Sequence, residues 1–225
     1  LRVLQAVREG IKEHGFVTPL MMNADRTGAT DCTTELQACL DDTDAPVFIP
    51  EGDWRIENGL ILSQPKRISG AGRNAIIKIP TSFAGTDWLT LRPETNVTQP
   101  MGWSLEDFTL FPDATGIGNH AVEIDCNTNP GYLQSLSIRR MNIGASTREP
   151  GGNGIHLTKE AGGANNLFCT TIEDNVIAGG INLIGVGDSV WIERNTMPGT
   201  KLAIYLEPIA GAFEQTIRKN NITSS

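Results

Sequence analysis

From residue 104 onward, apolar and polar positions recur in one phrase: Ser104-Leu-Glu-Asp-Phe-Thr-Leu, Ser137-Ile-Arg-Arg-Met-Asn-Ile, Thr171-Ile-Glu-Asp-Asn-Val-Ile, Trp191-Ile-Glu-Arg-Asn-Thr-Met and Thr216-Ile-Arg-Lys-Asn-Asn-Ile. The anchors Leu105, Ile138, Ile172, Ile192 and Ile217 fall at uneven intervals, shortest between Ile172 and Ile192. A second phrase alternates strictly between them: Val122-Glu-Ile-Asp, Ile155-His-Leu-Thr, Ile181-Asn-Leu-Ile and Ile204-Tyr-Leu-Glu. Alternation at every second residue places one set of side chains inside and the other outside a strand. Two such strands in each repeat of about twenty residues or more predict a solenoid of stacked β-coils.

Upstream the pattern changes. Leu1, Leu4, Val7 and Ile11 form a narrow stripe at helical spacing. Residues 1–14 therefore read as a helix, docked either in a three-fold neck or on its own domain. The polar turn at residues 23–32 ends at Asp31, a candidate N-cap for a short helix over 34–41 with Leu36, Cys39 and Leu40 on one side. Ala45-Pro-Val-Phe-Ile-Pro-Glu-Gly-Asp-Trp-Arg-Ile reads as strand, turn and strand. Further strands are predicted over 59–62, 66–69, 75–79 and 88–91. The domain reading is a helical lead-in over 1–22 followed by one solenoid over 23–225, whose last phrase expects a continuation or a covering partner.

Composition narrows the partners. The 225 residues carry a net charge of −8, the reverse of the basic stripe that nucleic acid requires. No apolar run approaches the roughly 18 residues of a membrane span, so no insertion is expected. Cys32, Cys39, Cys126 and Cys169 lack CxxC spacing and read as reduced, mostly buried thiols rather than zinc ligands. Neither a metal nor another cofactor is called for.

Ala24-Asp-x-Thr-Gly-Ala-Thr-Asp, Leu36-Gln-Ala-Cys-Leu, Val47-Phe-Ile-Pro-Glu-Gly-Asp-Trp-Arg-Ile and Ile68-Ser-Gly-Ala-Gly resemble the opening segment of the pectate-lyase-like superfamily, and within it phage tailspike and depolymerase proteins. The resemblance implies an all-β fold: a right-handed, single-stranded parallel β-helix whose amino end is capped by the short helix. It also implies a homotrimer that binds bacterial surface polysaccharide, joins other phage tail proteins in the virion, and is assembled in the host cytoplasm. For activity it is less specific, since members include lyases, hydrolases, epimerases and non-catalytic spikes. The polygalacturonase-like set of Asn-Thr-Asp, Asp-Asp and Gly-His-Gly is absent from this chain.

Stacking turns repeats into columns. Three residues past the anchors, Asn175, Asn195 and Asn220 align and predict a buried amide ladder. Outside them, Glu106, Arg139, Glu173, Glu193 and Arg218 run beside Asp107, Arg140, Asp174, Arg194 and Lys219, which reads as a surface charge ladder. The second phrase stacks Glu123, His156, Asn182 and Tyr205, flanked by Asp125, Thr158, Ile184 and Glu207. Carboxylate, imidazole, amide and phenol on successive rungs suit a saccharide groove, which needs paired donors and acceptors and an aromatic plate. Glu123, Asp125, His156 and Glu207 are the candidate catalytic residues, and Asn182, Tyr205, Tyr132 and Arg148 the candidate substrate contacts. Longer insertions at 112–120, 127–134, 144–153 and 159–168 bring His120 and the Asn165–Asn166 pair to the same side. The loose fingerprint from Gly70 to Ala75 runs into a strand and reads as a turn, not a phosphate loop. The function expected is a tailspike that binds polysaccharide, with or without cleaving it. The alternatives are a non-catalytic tail spacer and a cellular polysaccharide lyase or epimerase.

Overall fold

The computed structural model describes residues 15–42, 45–93, 102–126, 133–145, 147–157, 167–199, 203–208 and 214–223. The segment 1–14, Tyr132, Thr158 and the Asn165–Asn166 pair lie outside the described residues. Three parallel sheets wind around one core. The first contains Val47–Ile49, Arg67–Gly70, Ser104–Glu106, Ser137–Arg139, Thr170–Glu173, Val190–Glu193 and Gln215–Arg218. The second contains Gly52–Arg55, Ala75–Ile79, Thr109–Pro112, Asn142–Ile143, Val176–Ile177, Thr196–Pro198 and Asn221–Thr223. The third stacks Leu60–Leu62, Leu89–Leu91, Val122–Ile124, Ile155–Leu157, Ile181–Val186 and Ile204–Pro208. Each coil visits the three sheets in that order, which is a right-handed parallel β-helix.

The anchor column extends beyond the repeats legible in the sequence: Val47, Ile68, Leu105, Ile138, Ile172, Ile192 and Ile217 are register partners in turn. From Val47 to Ile192 they are all but fully buried. Each such side chain contributes roughly 1.5–3 kcal/mol by leaving water. Trp54, Trp88 and Trp103 fill the wider interior of the early coils, and the Trp54 and Trp88 indoles donate to the Pro50 and Ile117 carbonyls.

An open first rung would expose unpaired edges on three sheets. The amino-terminal cap closes each of them. Val17 bridges to Val47 on the first sheet, and Thr27 bridges to Asp53 on the second. On the third, the Gln37 amide accepts from the Ile61 N–H at 2.9 Å and donates to the Ile61 carbonyl at 2.8 Å, standing in for a missing strand. Gln37 belongs to the helix Thr33–Asp41, which buries Leu36, Cys39 and Leu40 as its pattern predicts. Its N-cap is Cys32 rather than Asp31. Asp31 stands one residue earlier, where its carboxylate still accepts from the Thr33 N–H and hydroxyl. The buried Lys66 ammonium donates to the Cys39 and Asp42 carbonyls and so closes the other end of the helix.

The polar turn before the helix is organised by Asp25, which accepts from the N–H and hydroxyl of both Thr27 and Thr30. Those bonds, led by the Thr27 hydroxyl, lower its carboxyl to about 2. Between the first and second sheets the chain turns through single left-handed residues: Asp107, Arg140, Asp174, Arg194 and Lys219, with φ between 51° and 60°. For residues with a Cβ this costs about 1 kcal/mol each. At the last three of these corners an asparagine follows directly and offsets the cost, Asn175 bonding to Asn195 and Asn195 to Asn220. Outside this ladder run the expected ion pairs, among them Arg140 with Asp107 at 2.6 Å and Arg194 with Asp174 at 2.7 Å. Half exposed, each is worth at most about 1 kcal/mol.

The four cysteines are free thiols, with Cys32, Cys39 and Cys126 buried and Cys169 exposed. Burial pushes the Cys39 and Cys126 thiols up to about 12, so neither is reactive at neutral pH. Among the described residues no helix is long and apolar enough to cross a membrane.

Candidate active site

The third sheet carries the candidate residues because alternation leaves one side chain in two on its outer face. Val122, Ile124, Ile155, Leu157, Ile181 and Leu183 point into the core. Thr90, Glu123, His156, Asn182 and Tyr205 are register partners in sequence up the opposite face. Adjacent rungs stand about 4.8 Å apart, so side chains on neighbouring rungs can touch. Glu123 and His156 do: Oε2 of the carboxyl lies 2.6 Å from Nδ1 of the imidazole. The side chains of His156 and Glu123 are only 13% and 15% exposed, so the contact is largely shielded from water.

His120 completes the arrangement. It lies in the loop before Val122–Ile124, and its ring stacks on His156 with centroids 3.8 Å apart and planes within 7° of parallel. The residue is fixed at two points: its backbone N–H donates to Asp87 Oδ1 at 3.0 Å, and its ring Nδ1 accepts from the Asn153 backbone N–H at 3.0 Å. Since Nδ1 accepts a bond, the neutral ring carries its proton on Nε2. Burial first, and the neighbouring His156 second, lower the His120 pKa to about 4. Burial likewise raises the carboxyls of Glu123 and Asp87, with His156 opposing both shifts.

Donor atoms of His120, Glu123 and His156 lie within 4.8 Å of one another, a spacing that could suggest a metal centre. The ring geometry argues otherwise. Imidazole lone pairs lie in the ring plane, and no ion can occupy two parallel planes at once. His120 Nδ1 is also occupied by Asn153. What the cluster shows is a short, shielded contact between one carboxyl and one imidazole, Glu123 and His156.

The other candidates fall at graded distances from this pair. Asp125 lies two residues beyond Glu123, so the two Cα atoms are about 7 Å apart. It is ion-paired with Arg92 at 2.8 Å. Asn182 sits on the rung after His156, and its Oδ1 is buried with no hydrogen bond from any described residue. Tyr205 follows, 41% exposed, with its hydroxyl donating to Glu207 at 2.9 Å. Glu207 pairs in register with Ile184, three rungs from Glu123 or about 14 Å. That is beyond the reach of a carboxylate pair acting on one bond. Arg148 is also engaged elsewhere, over the Phe111 ring at 5.1 Å. Asp87 and Arg92 belong to the site without having been singled out in the sequence. Asp87 could have been found by extending the register down one coil, since Leu89 aligns with Val122 and thus Asp87 with His120.

The two insertions at 112–120 and 144–153 lie side by side, joined by bonds from Gly116 N–H to the Glu149 carbonyl and from Gly151 N–H to the Gly118 carbonyl. They flank the histidine stack and, with Gly179, line an open pocket of about 290 Å³.

Comparison with known proteins fits this fold. No curated protein sequence matches the chain. Among solved structures, the amino-terminal fragment of bacteriophage phi29 gene product 12 superposes with a TM-score of 0.55 at 16% identity, over 99% of this chain and 45% of that one. Geobacillus virus E2 ORF18 gives 0.53 at 15% identity, over 95% and 42%. The gp42 tailspike of an Acinetobacter phage gives 0.51 at 14%, over 83% and 37%. The chain spans less than half the length of each, and at these identities the likeness is one of fold. Residues 20–224 match the family model of rhamnogalacturonase A/epimerase, pectate lyase-like proteins. With the capped parallel β-helix, that match over nearly the whole solenoid makes this chain a member of the rhamnogalacturonase A/epimerase, pectate lyase-like family.

Proposed function

We propose that this chain is the β-helix of a phage or prophage tailspike that binds host cell-surface polysaccharide along its third sheet and depolymerises it at Glu123 and His156. The observation that carries this reading is the 2.6 Å contact between Glu123 Oε2 and His156 Nδ1, shielded from water on the face flanked by the longest loops. A carboxyl raised by burial retains its proton above the ordinary carboxylate range, as a general acid must. In the proposed reaction Glu123 donates that proton to the glycosidic oxygen as the bond to the leaving sugar breaks. Asp125, on the same face two residues along, takes a proton from the attacking water, which makes the proposed reaction an inverting hydrolysis. Between turnovers Asp125 releases the proton it took to bulk water and Glu123 takes one up from water by way of His156, while Asn182 and Tyr205 contact the sugars on the following rungs. The tailspike reading brings with it a homotrimer, assembly with other tail proteins in the host cytoplasm, and a place in the virion.

One observation favours a second reading, a non-catalytic spacer or adaptor of the tail. Asp87 and His120 bond to the backbone of the coil above, as the asparagines do, so part of the cluster serves the fold. The two readings separate on incubation with bacterial surface polysaccharides, following reducing ends and the absorbance of unsaturated uronates, with the subunit mass measured alongside. Reducing ends released by a trimer, and lost in Glu123→Gln, support the depolymerase. Intact glycans, or full activity in Glu123→Gln, sink it.

A further inference from the structure

A histidine on the outer face of a sheet ordinarily turns easily about its last torsion, whose energy well is broad. His156 is placed differently. Glu123 meets the Nδ1 edge of its ring at 2.6 Å, and the His120 ring lies flat against its face, 3.8 Å between centroids and 7° from parallel. At that separation a tilt of the His156 ring drives its atoms into the ring below, where dispersion turns to repulsion. His120 can serve as a plate because it is itself anchored to the backbone. Its N–H donates to Asp87 Oδ1, and its Nδ1 accepts from the Asn153 N–H. Its Cε1 edge runs so close to Gly152 that a Cβ there would lie 2.6 Å away. The ring therefore transmits the rigidity of the neighbouring loops to a side chain on the strand Ile155–Leu157.

The same contacts keep the plate uncharged. His120 Nδ1 faces a donor, the Asn153 N–H, so a proton there would cost that bond. Burial first, and the stacked His156 second, hold its pKa down at about 4. His120 thus stays neutral at neutral pH and adds no charge beside the Glu123–His156 contact. We infer that His120 is a positioning residue: it fixes the plane of the His156 ring and keeps Nδ1 in line with Glu123. The catalytic consequence rests on the depolymerase reading above; the positioning itself does not.

A pair of substitutions separates positioning from a purely structural role. Asparagine places Oδ1 where histidine places Nδ1, so His120→Asn keeps an acceptor for the Asn153 N–H and loses the plate. His120→Phe keeps a flat ring and loses the acceptor. The whole chain is used for each measurement: the NMR order parameter of the His156 ring C–H, the urea midpoint, and kcat and KM for release of reducing ends from polysaccharide. The wild-type ring is expected to be rigid, with an order parameter of about 0.85. His120→Asn should unfold at the wild-type midpoint, yet its His156 order parameter should fall below about 0.6. Its kcat should fall roughly 10–100-fold with KM changed by less than about threefold. His120→Phe should unfold at a lower midpoint while keeping the order parameter, and its kcat should stay within about threefold of the wild type. A rigid His156 ring in His120→Asn, or a mobile one in folded His120→Phe, would overturn the positioning role. Full kcat in His120→Asn would overturn its catalytic consequence. A wild type that cleaves no polysaccharide overturns the depolymerase reading, and the order parameters still decide whether His120 positions His156.

Discussion

Asn195 sits at the middle of the asparagine ladder with 0% exposure, and its replacement by alanine tests how the solenoid's corner is held. Its Oδ1 accepts from the Asn175 N–H at 3.1 Å and the Asn175 amide at 2.9 Å. Its Nδ2 donates to the Ile172 carbonyl at 2.9 Å and to Asn220 Oδ1 at 3.1 Å. Two of these partners keep a second bond: the Asn175 amide with the Ile138 carbonyl, and Asn220 Oδ1 with the Asn195 N–H. The Asn175 N–H is left without an acceptor, whereas the Ile172 carbonyl keeps its sheet bond to the next coil. A buried polar group left unpaired costs about 1–3 kcal/mol, so Asn195→Ala should lose about 3 kcal/mol. In a chain of this length that lowers the melting temperature by roughly 10 °C. Urea unfolding followed by circular dichroism, at one protein concentration for all variants, measures the loss as a shift in midpoint at constant slope. Asn220→Ala is the internal control. Asn220 is only partly buried, and water can reach its rung, so about 1–2 kcal/mol is expected there. A loss below about 1 kcal/mol for Asn195→Ala, or equal losses for the two variants, would refute the argument that burial makes the ladder strong.

At the candidate active site, His156→Ala and Glu123→Gln should each reduce depolymerisation by roughly 10²–10⁴-fold while the chain stays folded, measured by reducing-end release beside circular dichroism. Products trapped early and read by anomeric NMR signals should show inverted configuration; retention would remove Asp125 from the role of base. His120 is a depressed base, so its contribution to stability is fully present above its ordinary pKa of 6.5 and disappears as pH falls through about 4. Allowing for solvent screening, that contribution is about 1–2 kcal/mol, and His120→Gln should flatten the pH dependence of unfolding between those values. Glu123 and Asp87 act in the opposite sense, since raised carboxyls contribute stability at low pH that is lost as pH rises through their folded values. On the amino-terminal cap, Lys66→Ala should cost about 1–3 kcal/mol by releasing the Cys39 and Asp42 carbonyls, whereas Arg140→Ala on the exposed charge ladder should cost no more than about 1 kcal/mol. Equal losses for the two, read as urea midpoints, would contradict the contrast between buried and exposed charge.

Much of the solenoid was legible because a parallel stack is nearly one-dimensional. Once Ile138, Ile172 and Ile192 are aligned, the alternation of each strand decides which neighbours face inward, which is why the amide ladder and the Glu123–His156–Asn182–Tyr205 column emerged from residue order alone. The corners were less visible. Left-handed backbone at Asp107, Arg140, Asp174, Arg194 and Lys219 carries no glycine to announce it, since the stacked coil rather than the residue type imposes the turn. The site was only half legible for a related reason. Glu123 and His156 sit in strands whose register is set by their own pattern, whereas His120, Asp87 and Arg92 reach the same place from residues outside the strands.

The sequence by itself therefore determined the winding, the inward and outward faces, and the juxtaposition of side chains on neighbouring rungs, because parallel pairing with a period of two leaves little freedom. Only the tertiary structure decided the stacking of His120 on His156, the pairing of Arg92 with Asp125, the separation of Glu207 from Glu123, and the cavity between the two insertions. Those depend on the path each loop takes over its neighbour, and that path is set by contacts between coils that no local pattern of apolar and polar residues encodes.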